Sequence, residues 1–133
     1  MKNWFLIYAI FIMSACSNKQ NCSELIFNKS SRTTFLDNIP YNGICQSFYL
    51  DGVLKSKEEY FKGIDHGKWI FYFRDGSIQT QGEFKLGKRI GKWEYFFENG
   101  RTWKINYYNN SGNKINVWVE YNMSGELVSK RMY

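Results

Sequence analysis

Three cysteines and one histidine are the residues of this chain best suited to redox, metal-binding or nucleophilic chemistry. They are Cys16, Cys22, Cys45 and His66. Their spacing lacks the paired Cys and His motifs of zinc sites, and no glycine-rich loop precedes a helical pattern as in phosphate sites. His66 lies beside Gly67 in a turn-like segment, which favours a solvated residue over a general base. The sequence therefore predicts no catalytic, metal-binding or cofactor site, and we expect a protein that is not an enzyme.

Cys16 follows a segment typical of a secretion signal. Lys2 precedes an uncharged apolar run over residues 4–13, which is too short to span a bilayer as a helix, since that takes about 20 residues. The residues that end the segment resemble the lipobox of bacterial lipoprotein precursors, in which a bulky apolar residue and two small residues precede the cysteine: Met13, Ser14, Ala15 and Cys16. That family usually has Leu where this chain has Met13. The resemblance implies that diacylglycerol is attached to Cys16 and anchors the protein in a membrane of the cell envelope.

Chain length and composition allow one folded domain behind this signal. The 133 residues include 20% aromatic residues, 11 glycines and 1 proline, a composition that favours a turn-rich β protein. We predict a signal peptide over residues 1–15, a lipid-anchored tether and N-terminal cap over 16–39, and a repeat domain over 40–133. Ser17 after the lipid cysteine favours the outer membrane, at its periplasmic face or at the cell surface, where the cell has such a membrane.

Cys22 and Cys45 form an even pair once Cys16 carries lipid. Thiols outside the cytosol tend to oxidise, so a disulfide bond between Cys22 and Cys45 is one interpretation. It would close a loop of about 22 residues and contribute about 3 kcal/mol by restricting the unfolded chain. The alternative is that Cys45 is a small buried apolar residue and Cys22 a free thiol of the tether.

Glycines recur along the chain with a period of 24 residues. One series has the spacings 24, 24 and 25 and ends with an asparagine: Gly43, Gly67, Gly91 and Asn116. A second series, 9 residues later, keeps the same spacings: Gly52, Gly76, Gly100 and Gly125. An aromatic series follows 8 residues further on: Tyr60, Phe84, Tyr108 and Tyr133. Three series that share one inserted residue, in the loop-like segment 109–114, indicate an internal repeat.

Each period has the pattern of a β-hairpin. Residues 69–74 and 77–84 have the composition of strands and flank Asp75 and Gly76. Asp or Asn before Gly suits a two-residue turn in which both residues have positive φ, so we expect such turns at the hairpin tips. Shorter reversals containing Gly63 or Gly87 join the hairpins. Up to eight strands would then follow one another as a meander.

The repeat unit is similar to a known one. Its middle copies begin with Gly, Lys and Trp at residues 67–69 and 91–93, carry an aromatic residue three positions later, and place Asp or Asn before the turn glycine. These features resemble MORN repeats, and more narrowly the MORN-variant repeats of proteins labelled YwqK-like antitoxins. The resemblance runs from Gly43 to Tyr133 and weakens in the first unit, where Cys45 replaces Trp, and in the last, where Asn116 replaces Gly. It implies an all-β fold, an elongated single-layer twisted antiparallel sheet of about four 24-residue β-hairpin repeats.

Large apolar residues on both sides of the strands lead us to expect aromatic packing between neighbouring units. One ladder is expected from Trp69, Trp93 and Trp118. A second is expected from Tyr60, Phe84, Tyr108 and Tyr133. The alternative is that these rings form a binding surface.

The net charge of +6 is unevenly distributed. Seven basic residues fall at the reversals between hairpins, where Asp65 is the one acidic residue, and we call them the basic edge: Lys62, Lys68, Lys85, Lys88, Arg89, Lys92 and Lys114. On a lipid-tethered domain this edge is suited to anionic headgroups, at about 1 kcal/mol for each basic residue. The alternative is that the lysines protect reversals and edges from aggregation.

Three functions stay open for such a domain. The first, which we favour, is a non-enzymatic, lipid-anchored envelope scaffold that binds a protein partner of unknown identity. The second is a binder of an anionic membrane surface or envelope polymer through the basic edge. The third, implied by the antitoxin label, is an inhibitor of a toxin that acts in the envelope. The lipid anchor would place the domain outside the cytosol, so we expect no nucleic-acid partner, and the sequence does not set the oligomeric state.

Overall fold

The computed structural model of the protein describes residues 20–133. The predicted signal peptide and the predicted lipid carrier, Cys16, lie outside the described residues. Strands dominate the described chain, which confirms the all-β class. No helix in this part of the chain is long and apolar enough to cross a membrane.

Thirteen strands and one 3₁₀-helix follow one another in residues 20–133. They are β1 (Gln20–Asn21), the 3₁₀-helix η1 (Cys22–Glu24), β2 (Ile26–Asn28), β3 (Thr33–Leu36), β4 (Ile39–Pro40), β5 (Gly43–Phe48), β6 (Leu54–Phe61), β7 (Ile64–Asp65), β8 (Gly67–Tyr72), β9 (Ile78–Lys85), β10 (Lys88–Phe96), β11 (Thr102–Tyr108), β12 (Lys114–Tyr121) and β13 (Leu127–Met132).

Ten of these strands form one large sheet. Eight of them make an antiparallel meander in the order β5, β6, β8, β9, β10, β11, β12, β13, and β7 is a short addition to β6. Two long strands per repeat period give the single-layer hairpin architecture that the sequence predicted. At the N-terminal edge β1 pairs in parallel with β5, with Gln20 opposite Cys45. The structure thus places Gln20 and Asn21, assigned to the tether from the sequence, in this sheet.

A second, three-stranded antiparallel sheet of β2, β3 and β4 precedes the repeats, and we call it the N-terminal sheet. It is joined to the turn between β6 and β7 by main-chain hydrogen bonds. The Thr34 N–H donates to the Gly63 carbonyl at 2.7 Å, and the Gly63 N–H donates to the Tyr41 carbonyl at 2.7 Å. A Cβ on Gly63 would lie 2.5 Å from the Thr34 carbonyl oxygen, so this close approach requires glycine.

The hairpin tips differ from the predicted two-residue turns. In the second tip the Phe73 N–H donates to the Ser77 carbonyl at 2.8 Å, and the Gly76 N–H donates to the Phe73 carbonyl at 3.0 Å. Gly76 has a φ of +86°, whereas Asp75 is not among the residues with positive φ. The prediction of positive φ at both turn residues was therefore wrong, and the loop has three residues closed by a glycine bulge. Asp75 contributes through its carboxylate, which accepts the Ser77 N–H at 2.8 Å.

Two-residue turns with positive φ at both positions occur instead at the reversals between hairpins. Lys62 and Gly63 have φ of 51° and 74°, and Leu86 and Gly87 have φ of 48° and 79°, as a type I′ turn requires. The third reversal is one residue longer and spans residues 109–113, where the N–H of its first residue donates to the carbonyl of its last at 2.9 Å. The inserted residue of the repeat thus turns a two-residue turn into a three-residue loop.

Complete burial is confined to a few positions. Apart from Gly63, six of the described residues are buried: Thr34, Tyr41, Cys45, Ser56, Trp93 and Asn106. The last four lie in the large sheet, on the face that carries Trp69, Trp93 and Trp118, which we call the tryptophan face. In the part that the structure describes, the large sheet therefore has a narrow row of buried side chains on one face, and no hydrophobic core between two layers.

The first residue of three repeat units has a left-handed backbone. Gly67, Gly91 and Asn116 have φ of 61°, 63° and 58°. Glycine adopts this conformation freely, and asparagine does so more readily than most other residues. This requirement explains why asparagine stands in the glycine position of the last unit.

Asn116 allows a test of this backbone requirement. Asn116→Ala should lower the free energy of unfolding by about 1 kcal/mol, because a Cβ without a compensating polar side chain is strained at positive φ. Asn116→Gly should keep the wild-type value or exceed it, and urea denaturation followed by circular dichroism measures both. Equal losses in the two variants would show that the asparagine side chain, rather than the backbone conformation, matters.

Candidate binding face

Each repeat tryptophan is fixed to the large sheet by the same hydrogen bond. The indole N–H donates to a main-chain carbonyl of the preceding long strand at 2.9 to 3.2 Å: Trp69 to Glu59, Trp93 to Glu83 and Trp118 to Tyr107. The pairing register with the preceding strand is interrupted beside the tryptophan. In the pairing of β9 with β10, for example, the register shifts between Ile90 and Glu94, on either side of Trp93. Each indole thus binds a carbonyl next to an irregularity in the strand ladder. This repeated hydrogen bond holds the three rings on one face of the sheet.

The two predicted aromatic ladders merge into one aromatic row on the tryptophan face. Among the described residues, each repeat tryptophan contacts a ring of the second predicted series and not another tryptophan. The ring centroids lie 4.8 to 5.4 Å apart in the pairs Tyr60–Trp69, Trp69–Phe84, Phe84–Trp93, Tyr108–Trp118 and Trp118–Tyr133. Such tilted contacts contribute about 0.5–1.5 kcal/mol each beyond the area that they bury. The row therefore packs neighbouring units together.

The middle of the aromatic row is built around Trp93, whose exposed fraction is 1%. A Cβ on Gly82 would lie 2.1 Å from the indole Cδ2, so glycine makes room for this ring. Asn106 lies opposite Trp93 in the register of β10 and β11, and its Oδ1 atom is buried without a hydrogen-bond partner in the described chain. The Arg89 guanidinium lies 4.4 Å from the Trp93 ring centroid and donates to the Tyr95 hydroxyl at 3.0 Å.

At the N-terminal end of this row a disulfide bond takes the place of tryptophan. Cys45 is completely buried, and its sulfur is bonded to that of Cys22 with an S–S distance of 2.11 Å. The Glu58 carboxylate accepts the hydroxyls of Ser56 and Tyr60 at 2.8 and 2.9 Å. Burial, together with the nearby negative charge of Glu58, raises the pKa of Tyr60. The two sulfurs and a Glu58 oxygen lie within 4.8 Å of one another, but sulfurs bonded to each other offer no thiolate to a metal ion.

Four members of the basic edge are engaged with neighbouring side chains. The Lys62 ammonium lies 5.4 Å from the Phe61 ring centroid. Arg89 covers Trp93, and the Lys114 ammonium lies 4.7 Å from the Trp118 ring centroid. Lys92 forms an ion pair with Glu94, and this hydrogen bond raises the pKa of Lys92. These cations stabilise the sheet locally.

The members of the basic edge lie at separate reversals. Lys62 is in the turn before β7, and Lys85 and Lys88 lie opposite each other beside the turn between β9 and β10. The Lys68 main-chain N–H donates to the Glu59 carboxylate at 3.1 Å. Glu59 and Glu94 thus add negative charge that the sequence count had not assigned to this edge, and the basic edge is a set of separate cations rather than one patch.

The largest apolar cleft described here lies on the tryptophan face near the hairpin tips, and we call it the aromatic cleft. Its volume is about 580 Å³. Most of its lining is aromatic or methionine, with polar side chains at its rim: Phe73, Phe96, Phe97, Trp103, Met123, Gln79, Thr80, Glu98 and Asn99. Glu98 is the one charged residue among those that line it. The cleft joins units that are distant in sequence, from Phe73 in the second to Met123 in the last.

Trp103 is the residue of this cleft that sequence reasoning missed. Its ring centroid lies 6.0 Å from that of Tyr95 and 6.1 Å from that of Phe97, and its indole N–H donates to the Glu120 carboxylate at 3.1 Å. The register of β10 and β11 shifts beside it, since Tyr95 pairs with Lys104 while the next residue pairs with Thr102. Trp103 belongs to no repeat series, and a tryptophan without counterparts in the other units was the available signal.

The fold and this face define a single-layer β-repeat protein. Two adjacent repeats, at residues 41–62 and 65–86, match the family described as MORN repeat variant. The match includes the first unit, one of the two in which the resemblance seen in the sequence weakens. The later units continue the same period, left-handed residue and indole hydrogen bond.

Wider comparisons add little to this assignment. No curated protein matches the chain. One solved structure that aligns with it is titled "Crystal structure of GtfA/B complex bound to UDP and GlcNAc", at 8% identity, over 71% of this chain and 23% of that chain, with a TM-score of 0.36. A TM-score this low does not define a shared fold.

Gly82 allows a test of the packing around Trp93. Gly82→Ala should lower the free energy of unfolding by about 1–3 kcal/mol, because the added methyl group overlaps the indole ring. Gly82 is not among the glycines with positive φ, so backbone strain does not contribute. In a Trp93→Leu background the same substitution should destabilise less, and urea denaturation of the four proteins measures the difference. The same loss in both backgrounds would contradict the proposed overlap.

Proposed function

We propose that this protein is a non-enzymatic repeat scaffold of the cell envelope, anchored by lipid at Cys16, that binds a protein partner in the aromatic cleft. The observation that carries the proposal is the cleft itself. Its volume of about 580 Å³ gives room for side chains of a partner. Aromatic residues and methionine, which dominate its lining, are enriched at protein interfaces. Exposed apolar surface of this kind marks an interaction site.

Trp103 is the expected anchor of the interface. It is 38% exposed, and neighbouring rings on one side and the Glu120 carboxylate on the other hold it in place. A ring that is already fixed loses little conformational entropy on binding, and tryptophan is among the residues that contribute most to interfaces. Met123, 66% exposed, supplies an adaptable side chain beside it.

The envelope location has support from two separate features. One is the lipobox-like sequence that ends at Cys16. The other is the disulfide bond between Cys22 and Cys45, since such bonds persist in oxidising compartments outside the cytosol.

The two alternative functions have weaker support. Binding of an anionic polymer through the basic edge is disfavoured by the contacts of Arg89, Lys92 and Lys114 within the protein. An antitoxin or immunity role would use the same aromatic cleft, with the toxin as partner. A toxin-like gene beside the gene for this protein would favour that role.

Photo-crosslinking in intact cells tests the cleft. With benzoylphenylalanine in place of Met123 in the cleft, we expect a stoichiometric adduct with a single protein. The matched control is the same substitution at Met132, which is 81% exposed on β13, and it should not give this adduct. Trp103→Ala should abolish the adduct. It also removes the ring contacts with Tyr95 and Phe97 and so lowers the thermal unfolding midpoint by several degrees, and circular dichroism at the temperature of crosslinking checks that the variant is folded. The same adduct at both positions, or an adduct that persists in Trp103→Ala, would contradict the proposal.

A further inference from the structure

We propose that the N-terminal sheet is the membrane-facing end of the protein, and that Phe27 and Ile39, which lie on one face of this sheet, enter the interface of an anionic bilayer. This inference rests on the lipid anchor of the proposed function. It concerns a part of the chain that precedes the repeats, and it sets the orientation in which the aromatic cleft is presented.

The disulfide bond limits how far the domain can move from its anchor. Cys22 follows Cys16 by six residues, and six extended residues span at most about 20 Å. Because Cys22 is bonded to the buried Cys45, the β5 edge of the large sheet stays within that distance of the lipid-bearing residue. The opposite edge, β13, lies seven strand spacings from β5, or about 33 Å.

The end held near the membrane exposes large apolar side chains. Ile26, Phe27 and Ile39 are 65%, 58% and 68% exposed. All three lie on the edge strands β2 and β4 of the N-terminal sheet. Phe27 and Ile39 share one face of this sheet, and Ile26 lies on the other face. Within the described chain no element covers them, and burial of such groups contributes about 25 cal/mol for each Å² removed from water. A tether that keeps them beside a bilayer supplies the high effective concentration that makes weak insertion effective.

Cations lie next to this apolar end. Phe27 lines a hollow of about 370 Å³ together with Leu86, which is itself 54% exposed, and with three charged residues, the cations Arg32 and Lys88 and the acidic Asp65. Two cations against one carboxylate leave the hollow with a net positive charge. Apolar side chains flanked by cations are suited to the boundary between acyl chains and anionic headgroups. This combination favours a bilayer over a second copy of the chain or a protein partner as the occupant of this surface. The aromatic cleft, which draws on β8 to β12, then faces partners further from the membrane.

Depth-dependent fluorescence quenching tests this orientation. The lipidated protein is reconstituted into vesicles of brominated phosphatidylcholine with phosphatidylglycerol, as Phe27→Trp or as Leu127→Trp. The two positions are matched in exposure, at 58% and 55%, but position 27 lies in the N-terminal sheet, whereas position 127 lies on β13, the edge strand of the large sheet far from β5. The wild-type protein corrects for the other tryptophans. We expect the added tryptophan at position 27 to lose most of its fluorescence and that at position 127 to lose almost none.

Flotation with the vesicles tests the lipid anchor, and quenching of the added tryptophan tests the orientation, so the two proposals can fail separately. If the protein floats with the vesicles and the two tryptophans are quenched equally or not at all, the orientation is wrong and the anchor stands. If the protein does not float with the vesicles, while Cys16→Ser behaves identically, the anchor is refuted and the inference with it. Exposed positions were chosen so that both variants fold, which near-ultraviolet circular dichroism checks. Crosslinked dimers that form through position 27 in place of quenching would assign this surface to a second copy and overturn the proposal.

Discussion

The hydrogen bond from each repeat tryptophan to a main-chain carbonyl is the interaction on which the single-layer sheet depends. A sheet without a second layer has little interior, and of the three repeat tryptophans only Trp93 is almost completely buried. The left-handed residue that starts a unit interrupts the strand ladder, and the indole N–H binds a carbonyl beside this interruption. The Glu59 carbonyl accepts the His66 N–H at 2.9 Å as well as the indole N–H of Trp69, so the indole adds a second hydrogen bond to it. The bond fixes a large ring over the neighbouring hairpin. One residue type thus spans the irregularity in the ladder and supplies the packing between units.

The two ends of the sheet replace this interaction in different ways. At the N-terminal end Cys45 occupies the tryptophan position, and its bond to Cys22 brings β1 onto the edge of β5. A disulfide that closes a loop of this length contributes about 3 kcal/mol by restricting the unfolded chain. At the C-terminal end Trp118 is retained and packs between Tyr108 and Tyr133. The first unit of this repeat protein is therefore closed covalently, and the last by aromatic contacts.

Features that recur in every unit were predictable from the sequence. The three series of Gly, turn and aromatic residues predicted the eight strands of the meander and their order. The indole hydrogen bond was not predictable, because it joins a side chain to a main-chain atom whose identity leaves no trace in the sequence. The tips were assigned the wrong turn type because Asp-Gly is compatible with a two-residue turn and with a three-residue loop, and the register of the flanking strands decides between them.

Features that occur once were harder to predict. Trp103 has no counterpart in the other units, although the register shift beside it recurs in every hairpin of the meander. The N-terminal sheet has short strands of two to four residues, too few for a periodic pattern. Glu59 and Glu94 lie within strands β6 and β10 and approach the basic edge from there. Only the charges at the reversals were assigned to this edge from the sequence, so these two were not included. In each case a tertiary contact, and not a local pattern, sets the position.

Hydrogen exchange at the indole N–H groups, followed by ¹H–¹⁵N NMR, tests the central claim most directly. The account predicts that the indole protons of Trp69, Trp93 and Trp118 exchange much more slowly than that of Trp103, whose partner is the side chain of Glu120 at an exposed site. Protection of similar size at the three repeat tryptophans would show the same bond in each unit. Exchange as fast at these three as at Trp103 would contradict it.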